Sequence, residues 1–194
     1  MSRSPIFFLL ALLMASMLVG CKDELRDVVD QSTDPERVPT VRTTNVQTVV
    51  SDSGHTRYRI TAPEWLMFEE AQKPHWVFPR GAVAEELDDQ FRVVREIRCD
   101  SAHFDETGHL WSLNGNVSIT MVNGDLILTD QMYWNTMDHE FYSDAFVHLE
   151  KADRIIEGTG YHGNESDGRV TNYTLKKVSA IIPFDSSRLP QELN

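Results

Sequence analysis

From Val41 onward, apolar and polar side chains alternate in short runs, the period of strands with one buried face. Tyr58, Ile60 and Ala62 share one face, and Arg57, Arg59 and Thr61 share the other. Phe91, Val93 and Ile97 alternate likewise, as do Val117, Ile119 and Met121 around Ser118 and Thr120. Residues 170–175 predict a late strand. Turn residues punctuate these runs at Asp52-Ser53-Gly54, Thr107-Gly108, Asn114-Gly115-Asn116, Asn123-Gly124-Asp125 and Asp167-Gly168. Asn-Gly pairs suit the positive-φ positions of tight hairpins. No long stretch carries a helical period, and Glu64–Gln72 reads either as a strand or as a short helix.

The strand pattern repeats. Asp100-Ser-Ala102-His-Phe104 recurs thirty residues later as Asp130-Gln-Met132-Tyr-Trp134, and at the same offset Val117 matches Val147 and Ile119 matches Leu149. Thr61-Ala62-Pro63-Glu64 followed by Phe68 is a weaker earlier copy. Units of one supersecondary element at a fixed period stack to share a core. The period predicts stacked hairpin-like layers, an open arrangement with edge strands at both ends. Such edges are blunted, covered or paired with a partner strand.

Upstream of this body lies a different pattern. Arg3 precedes an apolar run, Ile6–Gly20, shorter than the ~20 residues of a spanning helix and fitting an export signal. The run ends in Leu18-Val19-Gly20-Cys21, a lipoprotein-type cleavage box in which small Gly20 fits the peptidase and the Cys21 thiol receives diacylglycerol. Two or more acyl chains on one cysteine anchor stably where one holds marginally. The expected layout is a signal peptide at 1–20, an acylated cysteine and tether at 21–40, a β domain at 41–182 and a tail at 183–194. Leu25, Val28 and Val29 are spaced for a single helical turn in the tether. Lys22-Asp23-Glu24 reads as an outward sorting signal in some Gram-negative lineages and as inner-membrane retention in others.

Composition narrows the function. The formal net charge is -12, and removing residues 1–20 takes away Arg3, leaving the chain more acidic still. Such a surface repels phosphate backbones, so nucleic acid is not an expected partner, and an anionic lipid must be held mainly by its apolar part. Of the two cysteines, Cys21 has the anchoring role, and Cys99 reads as a small buried apolar residue of a strand. His103 and His109 straddle a turn, but without a cysteine their spacing predicts no metal site. No nucleophile elbow, phosphate-binding loop or zinc-protease motif is present, and the carboxylate pairs Glu85/Glu86 and Asp88/Asp89 read as solvated turn charge. No cofactor and no catalysis are expected. The aromatics Trp65, Trp76, Phe78, Phe104, Trp111, Trp134, Tyr142 and Phe146 form either an ordinary core or an apolar lining for acyl chains.

An ordered set of segments resembles the LptC family: Tyr58-Arg-Ile-Thr-Ala-Pro-Glu64, Lys73-Pro-His-Trp-Val-Phe-Pro79 with Gly81, Cys99-Asp-Ser-Ala-His-Phe104, Leu110-Trp-Ser-Leu-Asn-Gly-Asn-Val117, Tyr142-Ser-Asp-Ala-Phe-Val147, and Asp153-Arg-Ile-Ile-Glu-Gly158 with Gly160. The resemblance spans roughly residues 41–177 and looks closest to a lipoprotein-anchored branch. That family is the periplasmic, inner-membrane-anchored component of lipopolysaccharide (LPS) export. The resemblance implies an all-β fold, an open antiparallel β-jellyroll of the slotted kind shared by OstA, LptA and LptC. It also implies a non-enzymatic role: LPS is received from the permeases of an inner-membrane ABC transporter and handed to an LptA-like periplasmic bridge. The docking edges map to Val41–Val50 (Val41, Val46) for the transporter and Gly158–Leu175 (Gly158, Gly160, Tyr173, Leu175) for the bridge. A surface-exposed lipoprotein that binds glycan or protein is the alternative.

Alternation selects Tyr58, Ile60, Phe91, Val93, Phe104, Val117, Ile119, Met121, Trp134 and Val147 as the groove lining. On this reading Ile119→Arg blocks transport in a protein that still folds. A one-residue error in register turns a whole strand outward.

Overall fold

The computed structural model describes residues 34–52, 55–166 and 169–183. Cys21, the apolar run before it, the Leu25/Val28/Val29 turn and the dipeptides Ser53-Gly54 and Asp167-Gly168 lie outside the described residues. Eleven strands follow in order: β1 (Val41–Asp52), β2 (His55–Phe68), β3 (His75–Phe78), β4 (Ala82–Leu87), β5 (Val93–Cys99), β6 (Ser101–Asp105), β7 (Leu110–Met121), β8 (Leu126–Asn135), β9 (Glu140–Glu150), β10 (Arg154–Ser166) and β11 (Arg169–Pro183). All pair antiparallel in one sheet, and no helix occurs among the described residues. The stretch that read as strand or helix is strand through Phe68 and then a turn.

The pairing shows how one sheet makes two walls. Along β2, Tyr58–Thr61 pair with β4 while Leu66–Phe68 pair with β3. Along β7, Leu110–Asn114 pair with β6 while Ser118–Met121 pair with β5. The long strands therefore cross a dividing line, on either side of which the short strands sit. That line is marked by left-handed backbone at Asn45, Gly81, Gly115, Asn116 and Gly160. Register shifts fall on it too, between Asn114 and Val117, Thr129 and Tyr133, and Thr159 and Tyr161. Bulges bend and twist a strand, and a row of them in adjacent strands creases the sheet. The two halves then face each other: Tyr58 of one meets Trp134 of the other edge-to-face at 5.5 Å.

The crease explains the internal repeat. Asp100 sits between β5 and β6 on the line, and Asp130 sits within the β8 register shift. Asp100 accepts a hydrogen bond from Asn116 Nδ2 at 2.6 Å, and its amide donates to Gly115 O at 2.9 Å. Asn114-Gly115-Asn116 is thus not the predicted hairpin turn but the bulge of an unbroken strand. Both motifs need positive φ, and sequence pattern alone does not separate them. A Cβ on Gly115, at φ 73°, would stand 2.7 Å from Asp100 Oδ2. Gly115→Ala is expected to cost about 1–3 kcal/mol, seen as a lower urea midpoint with an unchanged slope.

The outer face is polar and ion-paired, with Arg59–Glu85 at 3.0 Å and Arg98–Glu96 at 2.7 Å. His148 bridges the Glu157 carboxylate at 2.8 Å and Glu150 at 3.0 Å. The hydrogen bond to Glu157, above all, raises its pKa above the ordinary 6.5. The raised value means the folded state holds the proton longer. The stabilisation is complete below pH 6.5 and fades as pH rises through the raised pKa. His148→Gln is expected to flatten that part of a stability-against-pH curve measured by urea unfolding.

Candidate functional site: a groove between an aromatic and an aliphatic wall

Cross-strand register builds each wall. On one side of the crease Ile60, Ala84, Ile97, Ile119, Ile127, Leu149 and Ile156 stand directly opposite one another from β2 to β10. On the other side the same kind of row reads Trp76, Phe104, Trp111, Trp134 and Phe141. The rings contact in sequence: Trp76–Phe104 at 5.0 Å, Phe104–Trp111 at 4.7 Å, Trp111–Trp134 at 6.4 Å and Trp134–Phe141 at 5.5 Å. Offset and tilted pairs at these separations add to plain burial, so the wall is stiff.

Between the walls is an open groove of about 1000 Å³. Its floor and sides are Tyr58, Ile60, Ala84, Trp76, Phe104, Trp111 and Trp134. Its rim is polar: Arg57, Glu86, Asp88 and Asp89 on one lip, His109, Thr136 and His139 on the other. A smaller apolar chamber, sharing Ile60, Ala84, Trp111 and Trp134 with the groove, continues toward the crease. Behind the groove lining, against Trp134 and Glu86, lies Arg95. This side chain is fully buried, paired with Glu86 at 2.7 Å. Its guanidinium lies over the rings of Trp134 at 5.2 Å and Phe141 at 4.9 Å. Beyond it the walls close on a packed core of Ile127, Phe141, Val147 and Leu149.

The ten selected lining residues divide three ways. Tyr58, Ile60, Phe104 and Trp134 line the groove. Val117, Ile119, Met121 and Val147 face inward but lie in the closed core, at most 4 % exposed. Phe91 and Val93 do not face the groove. Phe91 sits in the β4–β5 turn at φ 59° and is 66 % exposed, and Val93 is 42 % exposed at the very start of β5, beyond a register shift that leaves Val94 unpaired with β4. Trp76 and Trp111, named in the sequence among the aromatics of core or lining but not among the ten, also line the groove, as does Met137, which was not singled out; nor was Arg95 behind Trp134. For Arg95 the signal existed, since it shares the inward face of β5 with Ile97, but a charge in an apolar alternation reads as an outward residue.

The edges also differ from expectation. β1, with Val41 and Val46, pairs only with β2, and β11, with Tyr173 and Leu175, pairs only with β10. Gly158 and Gly160, however, lie in β10, which is hydrogen-bonded on both sides and is no edge. Their sequence signal comes from close packing: a Cβ on Gly158 would meet Lys177 O at 2.3 Å, and one on Gly160 the Lys176 side chain at 2.6 Å.

No group of three His, Cys, Asp or Glu side chains among the described residues is placed to hold a metal ion. His103 stacks on His75 at 5.0 Å, and burial lowers its pKa, whereas His109 lies on the groove rim. Cys99 is a free thiol, half-buried, and burial pushes its pKa up to about 11.

A family model described as lipopolysaccharide-assembly, LptC-related matches residues 8–178, most of the chain. The chain belongs to the LptC family. No curated protein matches it by sequence. The match takes in all of β1 to β10 and most of β11, so the creased eleven-strand sheet is an LptC-like jellyroll. It also reaches upstream of residue 41, where the sequence resemblance began, into the apolar run. Membership makes the protein a component of LPS transport, a role that is non-enzymatic in the family and associated with the periplasmic side of the inner membrane.

Proposed function

We propose that this LptC-family protein receives LPS from the permeases of an inner-membrane ABC transporter and holds its acyl chains in the groove. It then passes the lipid to a periplasmic bridge of LptA-like jellyrolls. The groove itself carries this reading: about 1000 Å³, aromatic on one wall and aliphatic on the other, with most of its charged lining along the edge. Burial of acyl surface at roughly 25 cal/mol per Å² gives useful affinity even for partial insertion. The acidic net charge disfavours any grip on a phosphorylated headgroup, which leaves the acyl chains as the part held. Transfer in one direction needs an external energy source, the transporter. In this reading β1 meets the transporter and β11 the bridge, each by strand addition to a free edge. Acyl chains on Cys21 hold the domain at the inner membrane.

A photoreactive residue replacing Phe104 tests this in living cells. The expected product is a crosslinked band that reacts with anti-lipopolysaccharide serum. The absence of that band at Phe104, Trp76 and Met137, in protein that melts cooperatively, would favour a surface lipoprotein that binds glycan or protein.

A further inference from the structure

The groove has a blind end. The chamber behind it, about 20 Å³, is walled by Ala82, Ala84, Cys99 and Ala102, with Ile97 and Leu113 beside them. Four small side chains there face the indoles of Trp111 and Trp134 without filling the space between. Interiors are normally packed with few voids, and walls around a void lose dispersion contacts on one side. The space is large enough for one water molecule, but a dry apolar cavity gives water no partners. A methyl group recovers those contacts with no polar cost. Beside the chamber the backbones of neighbouring strands run close together: a Cβ on Gly81 would stand 2.8 Å from Cys99 O, and Cys99 is one of the lining residues. A space of this size leaves an alkyl chain entering past Trp111 and Trp134 room for little more than its end.

We infer that this chamber takes the terminal methyl end of an acyl chain and sets the chain length that the groove prefers. Ala84, Ala102 and Leu113 are then specificity-determining residues. The inference rests on the reading that the groove carries lipid, and adds a ruler to it. A chain too short leaves the chamber empty and a chain too long is pushed out toward the polar rim. One methylene in an apolar pocket discriminates on the order of tenfold.

The test is the acyl composition of lipid that co-purifies with the full chain. Solvent extraction releases bound lipid and leaves any covalently attached chains on the protein, and mass spectrometry then reads chain length. Ala102→Val fills the chamber and Leu113→Ala enlarges it. The expected result is a shift toward shorter chains in the first and toward longer chains in the second, each on the order of tenfold per methylene. Identical profiles in wild type and both variants would overturn the ruler while leaving the lipid groove intact. No lipid on the wild-type protein would instead overturn the groove reading itself. If Ala102→Val strips all lipid or fails to melt cooperatively, Leu113→Ala decides: longer chains support the ruler, an unchanged profile refutes it.

Discussion

Ile119→Arg is expected to leave no folded domain. Ile119 is completely buried, between Ile97 on β5 and Ile127 on β8 in the middle of the aliphatic wall. An arginine there replaces a side chain that has no exposed surface and packs in an apolar core. An unpaired buried charge of this kind costs more than about 4–5 kcal/mol, comparable with the total stability of a domain of about 5–15 kcal/mol. Loss of the cooperative thermal transition checks it. The sequence-based expectation of a folded but blocked protein therefore moves to another position. Phe104→Arg keeps its guanidinium within reach of the rim, because Phe104 is half-buried and lines the open groove. That variant is expected to melt cooperatively and to lose lipid crosslinking at Met137, which stands 67 % exposed on the rim. A Phe104→Arg protein that crosslinks lipid as well as wild type would show that the groove is not the path.

Arg95→Ala is expected to destabilise the domain by about 3–5 kcal/mol, the usual cost of removing one partner of a buried ion pair. It leaves the Glu86 carboxylate, only 16 % exposed, without the cation 2.7 Å away. It also empties the space over Trp134 and Phe141 that the guanidinium occupies. Arg95→Met combined with Glu86→Leu removes both charges and refills the volume. Replacing a buried pair by packed apolar groups is commonly neutral or stabilising, so the double variant is expected to recover most of the loss. Guanidinium unfolding of the three proteins measures both numbers. If the double variant is as unstable as Arg95→Ala, the cation over the two rings, and not the pairing of charges, holds these strands together.

The walls were legible in the sequence because strand alternation has a period of two and most strands here bury one face. Tyr58, Ile60, Phe104 and Trp134 emerged from that rule alone, and the thirty-residue echo marked strands that cross the same crease. The rule fails where its premise does. Phe91 and Val93 continue the alternation in the chain, yet a register shift between Glu86 and Leu87 skips Val94 in the ladder and breaks the phase before Val93, so that Val94 and not Val93 lines the groove. It fails again at depth: Ile119 and Trp134 both point inward, but only the separation of the walls decides which lies in packed core and which in open groove. The crease was hidden for a different reason. Gly115-Asn116 carries the chemistry of a reversal, and its use as a bulge depends on Asp100 arriving from the link between β5 and β6.

The concentration of rings in one wall has a spectroscopic consequence. The chain has four tryptophans. Trp76, Trp111 and Trp134 line the groove, and Trp65 packs against Trp76 at 5.0 Å. Nearly all of the intrinsic ultraviolet emission of the protein therefore originates beside whatever occupies the groove. A ligand that displaces water there shifts the emission to the blue, and an acyl chain carrying a heavy-atom quencher darkens it. The molecule thus reports its own occupancy without any added label.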